Sequence, residues 1–355
     1  MTQRIDFLER LLNAPGPSGF ELAPARVWRE EAAGFAHEVW ADVSGNSVAA
    51  VNLQGKPRIM MAGHIDEIGL QVTHVGDGGY LFVDEIGGWD PQVLVGQRVR
   101  VLGSAGLVPG VVGKKPIHLL RKEEREKASK TRELWVDVGA SSPEEVGELG
   151  VRVGDAIVLD SGLLRLAGDR MASRAVDNRI GAYVVLEALR QLAVDPPGAG
   201  ALAVATVQEE IGYLGGGARS SAFSLEPDVA LVVDVTFSTD VPDIEKKELG
   251  DHKLGGGPVL SRGSSNHPLV VQRLIEAAEA EGISYTLQAA PRSTRTDADA
   301  IHVVRSGVPT GLVSVPSRYM HTPNEMVSLS DLESTARLLA AFVRRLEPEA
   351  DFIPR

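Results

Sequence analysis

An α/β fold is predicted by this sequence: a mostly parallel sheet with helices on both faces, interrupted by a β-rich, barrel-like insert. Three observations carry the expectation. After Asp169, apolar strand-like runs alternate with helical segments, the pattern of parallel strands joined by crossover helices. Between Gly69 and Asp160 the chain is glycine-rich and broken into short, closely spaced β-type pieces, as in a small barrel or sandwich. Before that stretch, Ile59, Met60 and Met61 form an apolar run that reads as a fully buried strand. It therefore belongs with the strands of the second half. Residues 1–68 and 162–355 are expected to form one discontinuous domain, and residues 69–161 an insert outside its sheet.

The elements follow in order. Ile5, Leu8, Leu11 and Leu12 recur at helical spacing, and Pro15-Gly16-Pro17-Ser18-Gly19 ends that helix. A second helix is predicted around Pro24 to Ala33, then strands at Glu38–Val43, Ser47–Val51 and Arg58–Ala62. The insert offers strands at Leu70–His74, Tyr80–Val83, Arg98–Leu102, Leu107–Val112, Leu134–Val138 and Ala156–Leu159. Its charge run Arg121–Lys127 reads as a solvated loop or helix end, with a partner contact as the alternative. Asp177 is expected to open a helix through Tyr183, Leu186 and Leu189. Strands Ala201–Val207 and Val229–Val235 follow, then a helix Pro268–Ala280, strands Tyr285–Ala289 and Thr310–Val315, and a closing helix Ser330–Arg344.

Composition excludes several classes. Among 355 residues, 36 Lys and Arg against 48 Asp and Glu leave a net charge of −12, which argues against nucleic-acid or anionic-membrane binding. There is no cysteine, so disulfides, thiolate catalysis and Cys-ligated zinc are impossible, and any metal must be held by His, Asp and Glu. The charged N-terminus lacks the apolar core of a secretory signal, and no apolar run reaches the ~18 residues of a membrane span. The expected location is the cytoplasm.

Ligand sites in open α/β sheets form beyond the carboxyl ends of the strands. Strand Arg58–Ala62 runs into His64, Asp66 and Glu67; Ala201–Val207 into Glu209 and Glu210; Val229–Val235 carries Asp234; Thr310–Val315 leads to His321. Asp177 follows another loop. Each has an ordinary alternative: a surface histidine, an N-cap aspartate, a turn carboxylate. Their coincidence at one sheet edge is harder to explain so, because clustered buried carboxylates repel unless a cation compensates. Imidazole with carboxylate and no thiolate suits zinc first, with cobalt or manganese also possible. Two His and three Asp/Glu are the inventory for two ions sharing a bridging carboxylate. Such ions, ~3.5–4 Å apart, share a hydroxide and polarise a carbonyl, and a further carboxylate outside the coordination sphere serves as general base. Successive strand residues face opposite ways. For Glu209 and Glu210 to share one site the chain must turn there, and Gly212 and Gly215–Gly217 would permit it.

These segments carry a family resemblance. Gly63-His64-Ile65-Asp66-Glu67-Ile68-Gly69, Ala175-Val176-Asp177-Asn178-Arg179, Val207-Gln208-Glu209-Glu210-Ile211-Gly212, Val233-Asp234-Val235-Thr236 and Arg318–Glu325 occur in order along nearly the whole chain. The chain resembles the cocatalytic-metal aminopeptidases of the glutamyl and tetrahedral aminopeptidase group. The resemblance implies a phosphorylase/hydrolase-like metallopeptidase core and removal of N-terminal residues from short peptides. It implies that His64 and Asp234 hold one metal, Glu210 and His321 the other, and that Asp177 bridges them. Glu209 would be the general base, and Asp66 would orient His64. It further implies an insert that drives dimerisation and a homo-oligomer, dimer building to dodecamer. One segment departs from the family pattern: Pro291-Arg292-Ser293-Thr294-Arg295-Thr296-Asp297-Ala298 carries arginines in place of a glycine-rich stretch. Arg292 and Arg295 would favour acidic side chains if they reach the substrate pocket, and serve as surface or subunit contacts if they do not.

Two other readings share parts of this inventory. A deacylase or carboxypeptidase would use the same metal core on another amide. A glycoside hydrolase would need two carboxylates ~5–9.5 Å apart in a cleft usually lined by aromatics. Aromatics are only 5% here, the four tryptophans do not cluster near the carboxylate strands, and the histidines would be left unexplained.

Overall fold

The computed structural model describes residues 2–212 and 215–355. Its strands are β1 (Glu38–Ala41), β2 (Ser47–Val51) and β3 (Arg58–His64); β4 (Gly69–Val75), β5 (Leu81–Ile86), β6 (Arg98–Gly103), β7 (Gly106–Gly113), β8 (Trp135–Asp137) and β9 (Ala156–Leu159); then β10 (Leu164–Arg165), β11 (Arg170–Ser173), β12 (Gly200–Thr206), β13 (Val229–Phe237), β14 (Val259–Arg262), β15 (Thr286–Ala289), β16 (Thr310–Ser317) and β17 (Glu325–Ser328).

The main sheet has eight strands in the order β1-β2-β12-β3-β13-β16-β14-β15. Its centre, β12-β3-β13-β16, is parallel. The edges are not: β1, β2 and β12 pair antiparallel, and β14 runs antiparallel to β16. The central strands are buried along both faces, which explains their continuous apolar sequences. One face is covered by helices Thr2–Asn13, Leu22–Ala32, Val176–Val194, Pro268–Ala280 and Leu329–Arg344, whose Leu8, Trp28, Val185, Leu274 and Leu339 share one core with the sheet. Gly216–Leu225 and Asp297–Ile301 cover the other through Ala218, Ala222 and Ile301.

Between β3 and β10, strands β4-β5-β8-β7-β6-β9 close into a barrel. Alternate residues point inward: Val99 and Val101 of β6 are buried, while Arg98 and Arg100 are exposed. Closure leaves the barrel no open edge. Lys122–Arg125 is a single helical turn with Lys122 and Arg125 exposed; the Glu124 side chain lies outside the described residues.

Several boundaries differ from expectation, each for a local reason. The first strand stops at Ala41 because the Asp42 carboxylate accepts from the amides of Ser44 (2.9 Å) and Asn46 (3.0 Å), closing a turn. Strand β14, the helix Gly216–Leu225 and the small sheet β10-β11-β17 were not anticipated. Their sequences are short or glycine-led, and tertiary packing overrides the turn signals. No helix among the described residues is long and apolar enough to cross a membrane.

Two features place the sheet end. Arg179 is fully buried; its guanidinium donates to the carbonyls of Ile65 (3.0 Å), Leu11 (3.0 Å), Leu12 (3.2 Å), Ala14 and Gly16 (3.3 Å) and to Glu67 Oε1 at 2.8 Å. Arg174 pairs with the other Glu67 oxygen. These bonds dock the loop after the first helix against the exit of β3. The second feature is a backbone contact. A Cβ on Gly63 would lie 2.4 Å from the Gly181 carbonyl carbon and 2.7 Å from the Ala182 nitrogen, so only glycine lets helix Val176–Val194 approach β3 this closely. Gly63→Ala is expected to cost about 1–3 kcal/mol or more through overpacking, read as a lower thermal unfolding midpoint than wild type in the same buffer.

Candidate active site

The strand after β3 in the α/β pattern, β12, lies on one side of it, and the next, β13, on the other. That change of direction opens a crevice at the carboxyl ends of the strands, and the candidate residues gather there. His64 is the last residue of β3. Two residues on, the fully buried Asp66 lies with Oδ1 3.4 Å from His64 Nδ1 and accepts from Ser18 Oγ and the amides of Glu209 (3.2 Å) and Glu210 (3.1 Å). Asp66 thus stands beside the imidazole, whose Nδ1 has no hydrogen-bond partner among the described residues, and holds the amides of the Glu209-Glu210 turn.

Asp177 does not open its helix as a cap. Ala175 is left-handed at φ 58, and Asp177 and Asn178 have non-helical dihedrals. The cap is Asn178: its Oδ1 accepts from the Gly181 amide at 3.0 Å, and its Nδ2 donates to the Val233 carbonyl at 2.8 Å. With capping done by its neighbour, the Asp177 carboxylate is free to face His64 and His321. Asp234 sits within β13.

The turn after β12 begins at Gln208, which is left-handed at φ 62, ahead of the expected glycines; Gly212, Gly215 and Gly216 continue it, all with positive φ. A non-glycine residue in that region costs of order 1–3 kcal/mol unless its surroundings hold it. The turn swings both Glu209 and Glu210 toward the crevice. His321, also left-handed at φ 58, lies beyond β16. Its Nδ1 is 2.7 Å from the carbonyl of Gly88 in the insert, which assigns the proton to Nδ1 and turns Nε2 inward.

The side chains meet as two groups. His64 Nε2 is 3.2 Å from Asp177 Oδ1 and 3.9 Å from Asp234 Oδ1. His321 Nε2 is 3.5 Å from Asp177 Oδ2 and 3.4 Å from Glu210 Oε2. Within each group the ligand atoms lie within 4.8 Å of one another, and Asp177 belongs to both. Glu209 Oε2 stands 3.7 Å from His64 Nε2 and is in neither group.

The electrostatics are those of an acidic cluster short of positive charge. Burial pushes the Glu209 carboxyl up to about 10; His64 opposes this, while Asp234, Asp297 and Glu210 add to it. Burial likewise raises Glu210 and, well above its ordinary value, Asp234. Asp177 goes the other way: burial would raise it, but His321 and His64 outweigh burial and hold it low. Contacts with Asp177 and Glu210 bring His321 up to about 11. Burial alone would depress His64, yet Asp177 and Asp66 hold it well above its usual value. Buried Glu210 Oε1 has no hydrogen-bond partner. An unpartnered buried oxygen, two imidazole nitrogens and a shared carboxylate are the donor set of borderline divalent cations, so the residues fit a metal.

Two buried carboxylates were missed as site residues. Glu325 accepts from the amides of Asp177 (2.9 Å) and His321 (2.8 Å), bracing one residue from each side; its spacing of four from His321 was the available signal. Asp297 accepts from Thr206 Oγ at 2.5 Å and is raised by burial to about 6; the Thr296-Asp297-Ala298 segment in which it stands was the available signal. The crevice opens into a cavity of about 1050 Å³ whose wall includes Arg219, Arg295 and Phe237. Arg295 reaches this wall and Arg292 does not. None of Trp28, Trp40, Trp89 and Trp135 lines it.

Comparison with known proteins gives a consistent answer. A family model described as M42 glutamyl aminopeptidase matches residues 45–338. This chain belongs to the M42 aminopeptidase family. A lysyl aminopeptidase of Pyrococcus furiosus is 37% identical over 353 residues, covering 98% of this chain and 99% of the relative. Among solved structures, a TET aminopeptidase from the marine sediment archaeon Thaumarchaeota archaeon SCGC AB-539-E09 superposes with a TM-score of 0.92 at 36% identity, covering 98% of this chain and 97% of its own. The Pyrococcus horikoshii TET1 peptidase, described as assembling into a tetrahedron or a large octahedral shell, gives 0.86 at 31% identity, with coverage of 97% and 100%. The family is metal-dependent in general, and the grouped His and Asp side chains offer a place for metal.

A carboxyl whose folded value lies above its unfolded one contributes stability that is whole below the unfolded value and is lost as pH rises through the folded one. For Glu209 that window runs from 4.5 to about 10, and the raised His321 loses its contribution near its upper end. Chelator-stripped protein is therefore expected to unfold at a lower temperature at pH 9 than at pH 6. Added Zn or Co should raise the midpoint by mass action, and more at the higher pH. Equal midpoints at both pH values in the stripped protein would contradict this account.

Proposed function

We propose that this chain is a dinuclear metal aminopeptidase that removes N-terminal residues from short peptides. The observation that carries the reading is the pair of ligand groups sharing Asp177, with Glu209 beside them and outside both, in a chain of an aminopeptidase family. His64 and Asp234 would hold one ion, Glu210 and His321 the other, and Asp177 both. Zinc suits this donor set, with cobalt or manganese as alternatives. When bound, the ions supply Lewis acidity, polarising the scissile carbonyl and making a nearby water acidic enough to ionise near neutral pH.

The chain's own residues do the rest. Glu209 accepts a proton from the attacking water and passes it to the leaving amine as the carbon–nitrogen bond breaks. Burial and its acidic neighbours favour protonated Glu209, which suits the donor half of that cycle. Asp66 keeps the His64 ring turned so that Nε2 faces the crevice. Gly88 does the same for His321 from the insert.

The domain and assembly readings belong here too. Residues 1–68 and 162–355 form the catalytic domain and residues 69–161 a dimerisation insert, with dimers building to a dodecamer. Exposed apolar residues on the insert, among them Phe82, Leu107, Val111, Ile117 and Leu119, support an interface there.

One peptide tests the function in two forms, free at its N-terminus and N-acetylated, with Zn or Co and a chelator control. Release of the first residue from the free form alone, abolished by chelator, is the expected result; cleavage of the acetylated form would point to a deacylase. Glu209→Gln is expected to keep its metal and lose roughly 10²–10⁴-fold in kcat, while parallel loss of metal would make Glu209 a ligand. Asp177→Asn should release both ions, measured by elemental analysis of the purified variant; retention of one would remove its bridging role.

A further inference from the structure

The loop Pro15–Glu21 has no part in the chemistry above, yet it reaches the site at two points. Arg179 and Glu67 hold its start: Gly16 donates to Glu67 Oε1 at 3.0 Å, and the carbonyls of Ala14 and Gly16 accept from Arg179. Ser18 then donates to Asp66. The loop ends at Glu21, a buried carboxylate that is not a candidate ligand. Its Oε1 accepts from the Gly19 amide at 2.6 Å and, 187 residues along the chain, from the Gln208 amide at 3.2 Å.

Gln208 is the left-handed residue that turns Glu209 into the crevice. The next two amides, of Glu209 and Glu210, donate to Asp66. Three consecutive amides of the turn are thus held by two buried carboxylates, and only one of these, Asp66, is tied to His64. The bond to Glu21 is the one that bears on the left-handed residue itself. Among the described residues the Glu209 carboxylate has no side-chain hydrogen bond, only the 3.7 Å approach to His64 Nε2, so its position follows largely from its backbone.

The geometry points to Glu21 as a positioning residue for Glu209: by accepting from the Gln208 amide it holds the turn that aims the general base. This rests on the aminopeptidase reading and on Glu209 as base. A misplacement of about 1 Å at a reacting group costs about 10²-fold in rate, so a remote anchor of this kind matters without touching substrate.

The test uses the full chain, metal-loaded, with the free-N-terminus peptide, and compares Glu21→Ala, Glu21→Gln and Glu209→Gln. Glu21→Ala should lower kcat by about 10–100-fold, with KM and bound metal within about twofold of wild type. Glu21→Gln keeps an acceptor oxygen and should stay within about threefold of wild type. Added to Glu209→Gln, Glu21→Ala should cost less than about twofold more, because a group acting through the base has nothing left to position. Amide exchange across 208–210 should quicken in Glu21→Ala. Should Glu21→Ala fail to fold, Glu21→Asp, which withdraws the same carboxylate by one methylene, carries the same comparisons. Unchanged kcat, loss of metal in step with activity, or a full additional loss on top of Glu209→Gln would each overturn the inference. If wild type itself cleaves nothing, the aminopeptidase reading fails. The exchange measurement then decides alone whether Glu21 holds the turn, and unchanged exchange at 208–210 overturns it.

Discussion

Like-charge repulsion among buried carboxylates is the constraint around which this molecule is arranged. Asp177, Glu209, Glu210, Asp234, Asp297 and Glu325 meet at one sheet end, where His64 and His321 pair with the carboxylates of Asp177, Glu209 and Glu210. Without further compensation, several of these carboxyls are driven toward the neutral form by burial and by one another. A divalent cation reverses that balance, because its own charge becomes the largest in the site. A cluster this costly persists only if the scaffold holds it together independently, and the scaffold does so with neutral donors. Asp66, Glu325 and Glu21 accept from backbone amides of the residues they brace, so each support acts on the chain rather than on a ligand oxygen.

A second layer of charge supports the first. Arg179 and Arg174 are not among the residues lining the cavity and clasp Glu67 and the chain after the first helix. Burial lowers the Arg179 guanidinium to about 10, with Glu67 pulling against the shift, so it stays charged near neutrality. A buried guanidinium with five carbonyls and a carboxylate is fully satisfied, and removing any partner would leave it expensive. The insert also contributes beyond its own fold: the Gly88 carbonyl orients His321, so the barrel and the α/β domain share the site.

The sequence by itself determined the kind of fold and the inventory of the site. Continuous apolar strands separated by helical periodicity can only be a sheet covered on both faces, and the closely spaced short strands between them can only pack as a separate β unit. His64, Glu209, Glu210, Asp234 and His321 were legible because strand ends are legible, and in a parallel sheet all strand ends of one sense lie together. The tertiary structure decided everything that depends on contacts between distant segments. It gave the helix cap to Asn178 and left Asp177 free. It began the turn at Gln208, ahead of the glycines that continue it. It brought Glu325, Asp297 and Glu21 to the site, because whether a carboxylate is buried is not decided until the distant groups that bury it have packed. Periodicity reports which face of an element is apolar; hydrogen bonds spanning 48 to 187 residues exist only once the faces have packed.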